Sequence, residues 1–418
     1  MPSDQPDAPA LDAVRTALDQ RAIPIDIGTV PGDGCSRLAA AVADADVIGL
    51  GEASHGTAEF ATLRHAIIRA LVHEHGLRVL ALEANVGATL ALDEYVTGGD
   101  GSLEAALAQP GIHENFRTDG VRALLEWVRA FNEGREPADR LRVRGLDIQS
   151  AVVPARRLRA HLQRSDADAP HRLQDALDQL AEDTAPRPTG EEHLTARATV
   201  EELFPVDDVS DGSSSSVTER LVWAIEQGRR QYRAVADGRL QHGTNIKIRD
   251  SAMAAQVQWL RRHTGHDRVA VWAHNAHLDR MEFSGGDRRG QGLPSLGRNL
   301  ATMGAIDYAA VGLHLCGGAV SAVYTPEEEV RVVELDGPPE GSLPAVCDGV
   351  DGPAFAIDLG SIEAESPLAT YFEQDPLAYD IAGSYVDTPA SLVETDCRRQ
   401  FDYLLVVKES TPAAPLGL

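Results

Sequence analysis

The chain has 418 residues, a hydrophobic share of 43% and a formal net charge of −26, and Lys247 and Lys408 are its only lysines. That length allows two to three globular domains, or one large domain carrying an insertion. So acidic a balance argues against nucleic-acid binding and against adhesion to an anionic membrane, since both need clustered Lys and Arg. An Asp-rich, Lys-poor surface is instead the kind that stays soluble at high salt.

Residues 1–10 lack the basic and apolar regions of a signal peptide, and no run approaches the roughly 18 apolar residues of a spanning helix. A cytoplasmic protein is expected. The four cysteines (Cys35, Cys316, Cys347 and Cys397) are far apart and show no CxxC spacing, so neither a zinc ribbon nor a disulfide framework is indicated. Residues 11–22 and 35–45 read as helices, followed by a strand at 47–50 that breaks at Gly51. Glu52 and His55 follow within four residues. Phe60, Leu63, Ile67, Ile68 and Leu71 recur at helical spacing up to His75, and Gly76 closes the helix. A strand at 78–82 ends at Glu83, a helix covers 86–95, and an amphipathic helix over 121–132 buries Leu124, Leu125, Trp127, Val128 and Phe131. A third strand, 141–146, ends at Asp147.

From Pro154 to His263 the periodicity is helical throughout, with a polar break at 207–216. About 110 helical residues between two strands exceed an ordinary crossover and predict an inserted helical subdomain. The expected organisation is an α/β core formed by 1–153 and 264–418, with a mostly parallel sheet flanked by helices. The all-helical subdomain, 154–263, would roof the active-site cleft. Helix 244–262 leads to a fourth strand, 268–273, which ends at His274. Residues 284–292 form a Gly-rich loop that reads as a lid. Strands are expected at 307–313, 319–324 and 403–407; residues 325–400 are acidic, rich in Pro and Gly, and placed only loosely.

Strands alternating with helices imply parallel pairing with right-handed crossovers, so their carboxyl ends share one edge of the sheet, where open α/β sheets bind ligands. Those ends carry Glu52 with His55, Glu83, Asp147, and His274 with His277. A single carboxylate there could merely cap a helix or turn. Four ionisable ends on one rim cost desolvation unless they pair or act. His274-Asn275-Ala276-His277 can bind zinc together with a carboxylate from elsewhere, or donate hydrogen bonds to an oxyanion with help from Asn275. HExxH is absent. Ser54 is not in a GxSxG elbow, Cys35 has no His near it in sequence, and no phosphate-binding glycine pattern follows the first strand.

Residues 49–60 (GLGEASHGTAEF) resemble the signature of the erythromycin esterase family. So do 81–85 (ALEAN), 144–150 (RGLDIQS), 272–277 (WAHNAH), 401–407 (FDYLLVV) and Thr411-Pro412. The resemblance runs in order over nearly the whole chain and is weakest at 154–263. It implies hydrolysis of a macrocyclic lactone ester with His55 as general base, and with Glu52, Arg64, Glu83, His274 and His277 at the other active-site positions. It leaves metal dependence open. Arg64 lies beyond the tip of the helix after His55 and would have to reach back to the loop. Water, activated by His55, would be the nucleophile; Glu52 or Glu83 would orient the imidazole, His274 and His277 would serve the oxyanion, and Asp147 and Asn275 would contact substrate. A small-molecule ester or lactone is the expected partner, with no required cofactor. The salt-adapted surface leaves esters other than macrolides open. The rival readings are a divalent-metal hydrolase using His274 and His277, and a binding protein for haem or another small ligand. Oligomeric state is not legible.

Overall fold

In the computed structural model, residues 11–164, 169–182, 190–203, 216–238, 243–284, 291–324, 329–385, 387 and 389–417 are described. Residues 1–10, most of the 207–216 break and most of the 284–292 loop lie outside that set. The aliphatic runs form strands β1 (Ile23–Ile25), β2 (Val47–Leu50), β3 (Val79–Asn85), β4 (Arg142–Asp147), β5 (Val269–Trp272) and β6 (Tyr308–Tyr324). Strands β7 (Glu329–Leu335), β8 (Ala354–Asp358), β9 (Leu377–Tyr379), β10 (Ser384–Tyr385), β11 (Leu392–Glu394) and β12 (Tyr403–Ser410) follow. The helices up to the insert are α1 (Leu11–Asp19), α2 (Asp33–Val42), α3 (Ala58–His75), α4 (Thr89–Val96), α5 (Leu103–Leu107) and α6 (Asp119–Asn132). Beyond β4 come α7 (Val152–Arg164), α8 (His171–Ala181), α9 (Glu191–Leu203), α10 (Val217–Ala236), α11 (Thr244–Thr264), α12 (Asn275–Leu278) and α13 (Leu296–Thr302). The short helices α14 (Leu343–Cys347), α15 (Pro367–Phe372) and α16 (Cys397–Gln400) complete the chain.

The main sheet runs β1-β8-β12-β6-β2-β5-β3-β4. From β12 to β4 every neighbouring pair is parallel, while β8 runs antiparallel to β12 and β1 antiparallel to β8. The architecture is therefore the expected α/β core with a mostly parallel sheet. Side chains alternate between its faces. Ile48, Leu50, Leu80 and Leu82 pack with α2, α3 and α6, while Val47, Val79, Ala81 and Val271 pack with α1, α11 and α13. Both faces are covered, which is why these strands read as unbroken apolar runs.

Two expected strands are one. Strand β6 continues through Gly317 and Gly318; its first part pairs with β2 and β12, its second with β7 and β10. Gly318 has φ +94°, and a Cβ there would collide with the carbonyl of Ser410. These two glycines, in the gap between the two expected strands, allow the strand to change partners.

Described residues between 154 and 263 are helical or connect helices. Helices α7–α10 share a core around Leu158, Leu177, Val200 and Ile225, whereas Met253, Val257 and Leu260 of α11 pack into the core beneath the sheet.

Candidate active site

The loop after β2 is pinned by backbone bonds from Gly51 N to Val311 O (2.9 Å) and from Ala53 N to Leu313 O (3.0 Å). A Cβ at Gly51 would collide with Asn275 Oδ1, so this strand end accepts glycine only. Within the loop, His55 Nδ1 lies 2.6 Å from Glu52 Oε1. Arg64 does reach back: its Nη2 pairs with Glu52 Oε2, its Nη1 donates to Gly51 O at 3.3 Å, and its guanidinium lies 3.7 Å from the Trp272 ring centre. Glu52 and Arg64 are both almost wholly buried. Burial alone would raise the Glu52 carboxyl, but Arg64 and His55 together override it and hold it at about 2. Glu52 is thus a fixed anion beside the imidazole.

Strands β3 to β5 deliver the second group. The register of β3 against β4 shifts between Leu82 and Asn85, so Glu83 lies inside the strand where it departs from regular pairing, rather than just past its end. Glu83 Oε1 accepts from Arg249 Nη2 at 2.8 Å and lies 3.2 Å from His277 Nε2, while Oε2 accepts from the backbone N–H of His274 at 2.8 Å. Asp147 accepts from Arg249 Nε at 3.1 Å and Nη2 at 3.0 Å, and from the backbone of Ile148 at 2.7 Å. Burial would raise both carboxyls; His277 and Arg249 for Glu83, and chiefly Arg249 for Asp147, outweigh it and hold both below the usual carboxylate range. His277 Nδ1 lies 2.7 Å from Asp250 Oδ1. Burial opposes charge on this ring, yet Asp250 and Glu83 push its pKa up to about 9. In that form Nε2 donates to Glu83. Once deprotonated, it can accept from Arg249 Nη1, 2.9 Å away.

His274 stands edge-on to His55, ring centres 5.4 Å apart. Its Nδ1 accepts from Ala276 N at 3.2 Å, which leaves Nε2 3.0 Å from Asp380 Oδ1. Asn275 donates to Leu313 O at 2.9 Å and accepts from Leu313 N at 3.2 Å. Expected as a substrate contact, its amide is instead a latch onto β6. Asp147, expected in the same role, is 1% exposed and supports Arg249 from behind. Ser54 is fully buried, and its hydroxyl accepts from Gly56 N at 3.1 Å.

The metal alternative fits these residues poorly. Arg249 sits against His277 Nε2, and Ala276 occupies His274 Nδ1. Among the described residues no group of three or more His, Cys, Asp or Glu side chains is arranged to hold an ion.

A cavity of about 750 Å³ opens over this edge. Its polar wall includes His55, Glu83, His113, Gln149 and Arg249; its apolar wall comes from β6, β7 and the segment 413–416, including Val323, Val330 and Leu416. His274 and His277, expected to serve an oxyanion, do not line it. Among the described residues Arg249 is the only lining group from 154–263; most of the others come from 113–118, β6, β7 and 413–416.

The sequence reading missed Arg249, Asp250 and Asp380. Asp250 carried a signal: it falls on the same helical stripe as Met253, Val257 and Leu260, and a charge on an apolar stripe needs a buried partner. Asp380 lies in the loosely placed 325–400 and offered none.

The erythromycin esterase family model matches residues 72–410, a span that begins after Glu52, His55 and Arg64. Erythromycin esterase type I of Escherichia coli is 24% identical over 317 residues, covering 69% of this chain and 74% of the relative. The type II enzyme of the same organism is 22% identical over 350 residues, covering 74% and 79%. A crystal structure of a Bacillus cereus protein superimposes with a TM-score of 0.78 at 21% identity, covering 97% of this chain and 99% of the other. An erythromycin esterase mutant in its open conformation gives 0.66 at 19% identity, covering 91% and 95%. The chain belongs to the erythromycin esterase family.

Proposed function

We propose that this protein hydrolyses a carboxylic ester, a lactone or a related small molecule, by adding water to the acyl carbon without a covalent enzyme intermediate. The observation that carries this reading is the Glu52–His55 pair. With Nδ1 held by a buried anion, Nε2 is the ring nitrogen left for the cavity. An imidazole so held can take a proton from water as the water attacks, and Glu52 stabilises the imidazolium that forms. Arg64 fixes Glu52. Arg249 lines the cavity, and its Nη1 keeps one N–H beyond its contact with His277, placing a cation where an acyl oxyanion would develop. His274 and His277 position His55, Glu83 and Arg249 from behind the wall.

No step here calls for a cofactor. Erythromycin, named in two curated relatives, marks macrocyclic lactones as the first compounds to try. Among the described residues no helix is long and apolar enough to cross a membrane, and we assign the protein to the cytoplasm. The test is a mass-spectrometric screen of lactones and simple esters for addition of water. His55→Ala should lose on the order of 10²–10⁴ in rate with an unchanged circular-dichroism spectrum. Near-normal turnover in that variant would overturn the mechanism.

A further inference from the structure

His113 lines the same cavity as His55, from the segment between α5 and α6. It precedes a single turn of 3-10 helix, Glu114–Phe116, yet its ring makes no capping hydrogen bond there. Its side chain is 52% exposed, and its Nε2 lies 3.9 Å from the buried Asp147 Oδ2. Around that carboxylate, Glu83, Asp147 and Asp250 outnumber the two cations Arg249 and His277. The cavity therefore holds two histidines, each beside a buried carboxylate, one arriving after β2 and one facing the end of β4.

Ester cleavage needs two proton transfers. As water attacks the acyl carbon, its proton passes to His55 Nε2. The tetrahedral intermediate then breaks its bond to the alkoxy oxygen, which leaves with an electron pair and needs a proton. The His55 ring is held by Glu52 and packed edge-on against His274, so it is poorly free to swing from the attacking to the departing oxygen. We propose that His113 is the general acid that protonates the leaving alkoxide, a step that rests on the ester-hydrolase reading above. The products are the acid and the alcohol; His113 regains a proton from solvent, and His55 returns its own.

Leaving-group dependence separates this role from substrate binding. Ethyl butyrate expels a strongly basic alkoxide, whereas 4-nitrophenyl butyrate expels a phenolate that departs unaided. In His113→Gln, kcat on ethyl butyrate should fall on the order of 10²-fold or more, with 4-nitrophenyl butyrate within a few-fold of the parent enzyme. His55→Ala should lose both. Equal losses on the two esters, no loss on either, or a rise in KM at unchanged kcat would overturn the assignment. Absence of water addition by the parent enzyme to these esters and to every ester and lactone of the screen would sink the hydrolase reading and His113's role with it. The half-exposed ring makes misfolding of His113→Gln easy to check, by an unshifted melting temperature.

Discussion

Arg249 and Glu83 stand 166 positions apart in sequence and meet at 2.8 Å. Arg249 also holds Asp147 through two nitrogens, so one guanidinium joins strands β3 and β4 to helix α11. Arg249→Met would leave the buried Asp147 without its main cation and take one of two cations from Glu83, at a cost of about 3–5 kcal/mol. Arg249→Lys should recover part of that stability but not the activity, because an ammonium cannot reproduce the fork. Urea titration and single-turnover rates on the two variants check this; a fully active Lys variant would remove Arg249 from the chemistry.

Glu52 is the counter-charge of Arg64 in a nearly water-free place. Glu52→Gln should therefore destabilise the fold by about 3 kcal/mol as well as abolish turnover. Adding Arg64→Met to it should restore stability in part while leaving the enzyme inactive. Recovery of activity in the double variant would show that the pair is scaffolding alone.

The His277 ring sets an alkaline limit. Its folded pKa of about 9 exceeds the ordinary 6.5, so its contribution is complete below pH 6.5 and is lost as pH rises through 9. On the order of 2–3 kcal/mol of stability should disappear over that window. In Asp250→Asn, thermal melts between pH 6 and 10 should be much flatter there. A slope as steep as the parent's would assign the alkaline loss to other groups.

His65 sets an acid limit. It is buried, both ring nitrogens lack a hydrogen-bond partner, and burial, with Arg69 nearby, lowers its pKa to about 4. A folded value below the ordinary 6.5 means that its contribution is present above 6.5 and is lost as pH falls through 4. His65→Leu should gain about 1 kcal/mol at neutral pH and flatten the acid limb of the stability curve. Lower stability at neutral pH would show that the imidazole packs better than the aliphatic chain.

What could be read from sequence follows what each residue had to satisfy locally. Glu52, His55, Glu83, Asp147, His274 and His277 sit at the ends of apolar runs, and strand polarity alone gathers them on one edge. Their individual duties depend on side-chain direction across the sheet, which no run reveals. Asn275 turned to β6, and His274 and His277 fell behind the wall. Arg249 is hidden because one charge inside an amphipathic helix looks like any solvated one. The joined strand β6 was hidden by two glycines whose usual meaning is a turn.

The place of β12 has a consequence for how the protein is made. It lies between β8 and β6, pairing with β6 from Tyr403 to Ser410 and with β8 from Tyr403 to Val407, yet it leaves the ribosome after either. Until residues 403–410 emerge, two long strand edges stand unpaired, and an open edge is a template for another chain. Nascent protein is therefore most prone to misassociate just before synthesis reaches β12. A truncation ahead of it should yield aggregate rather than a smaller folded core.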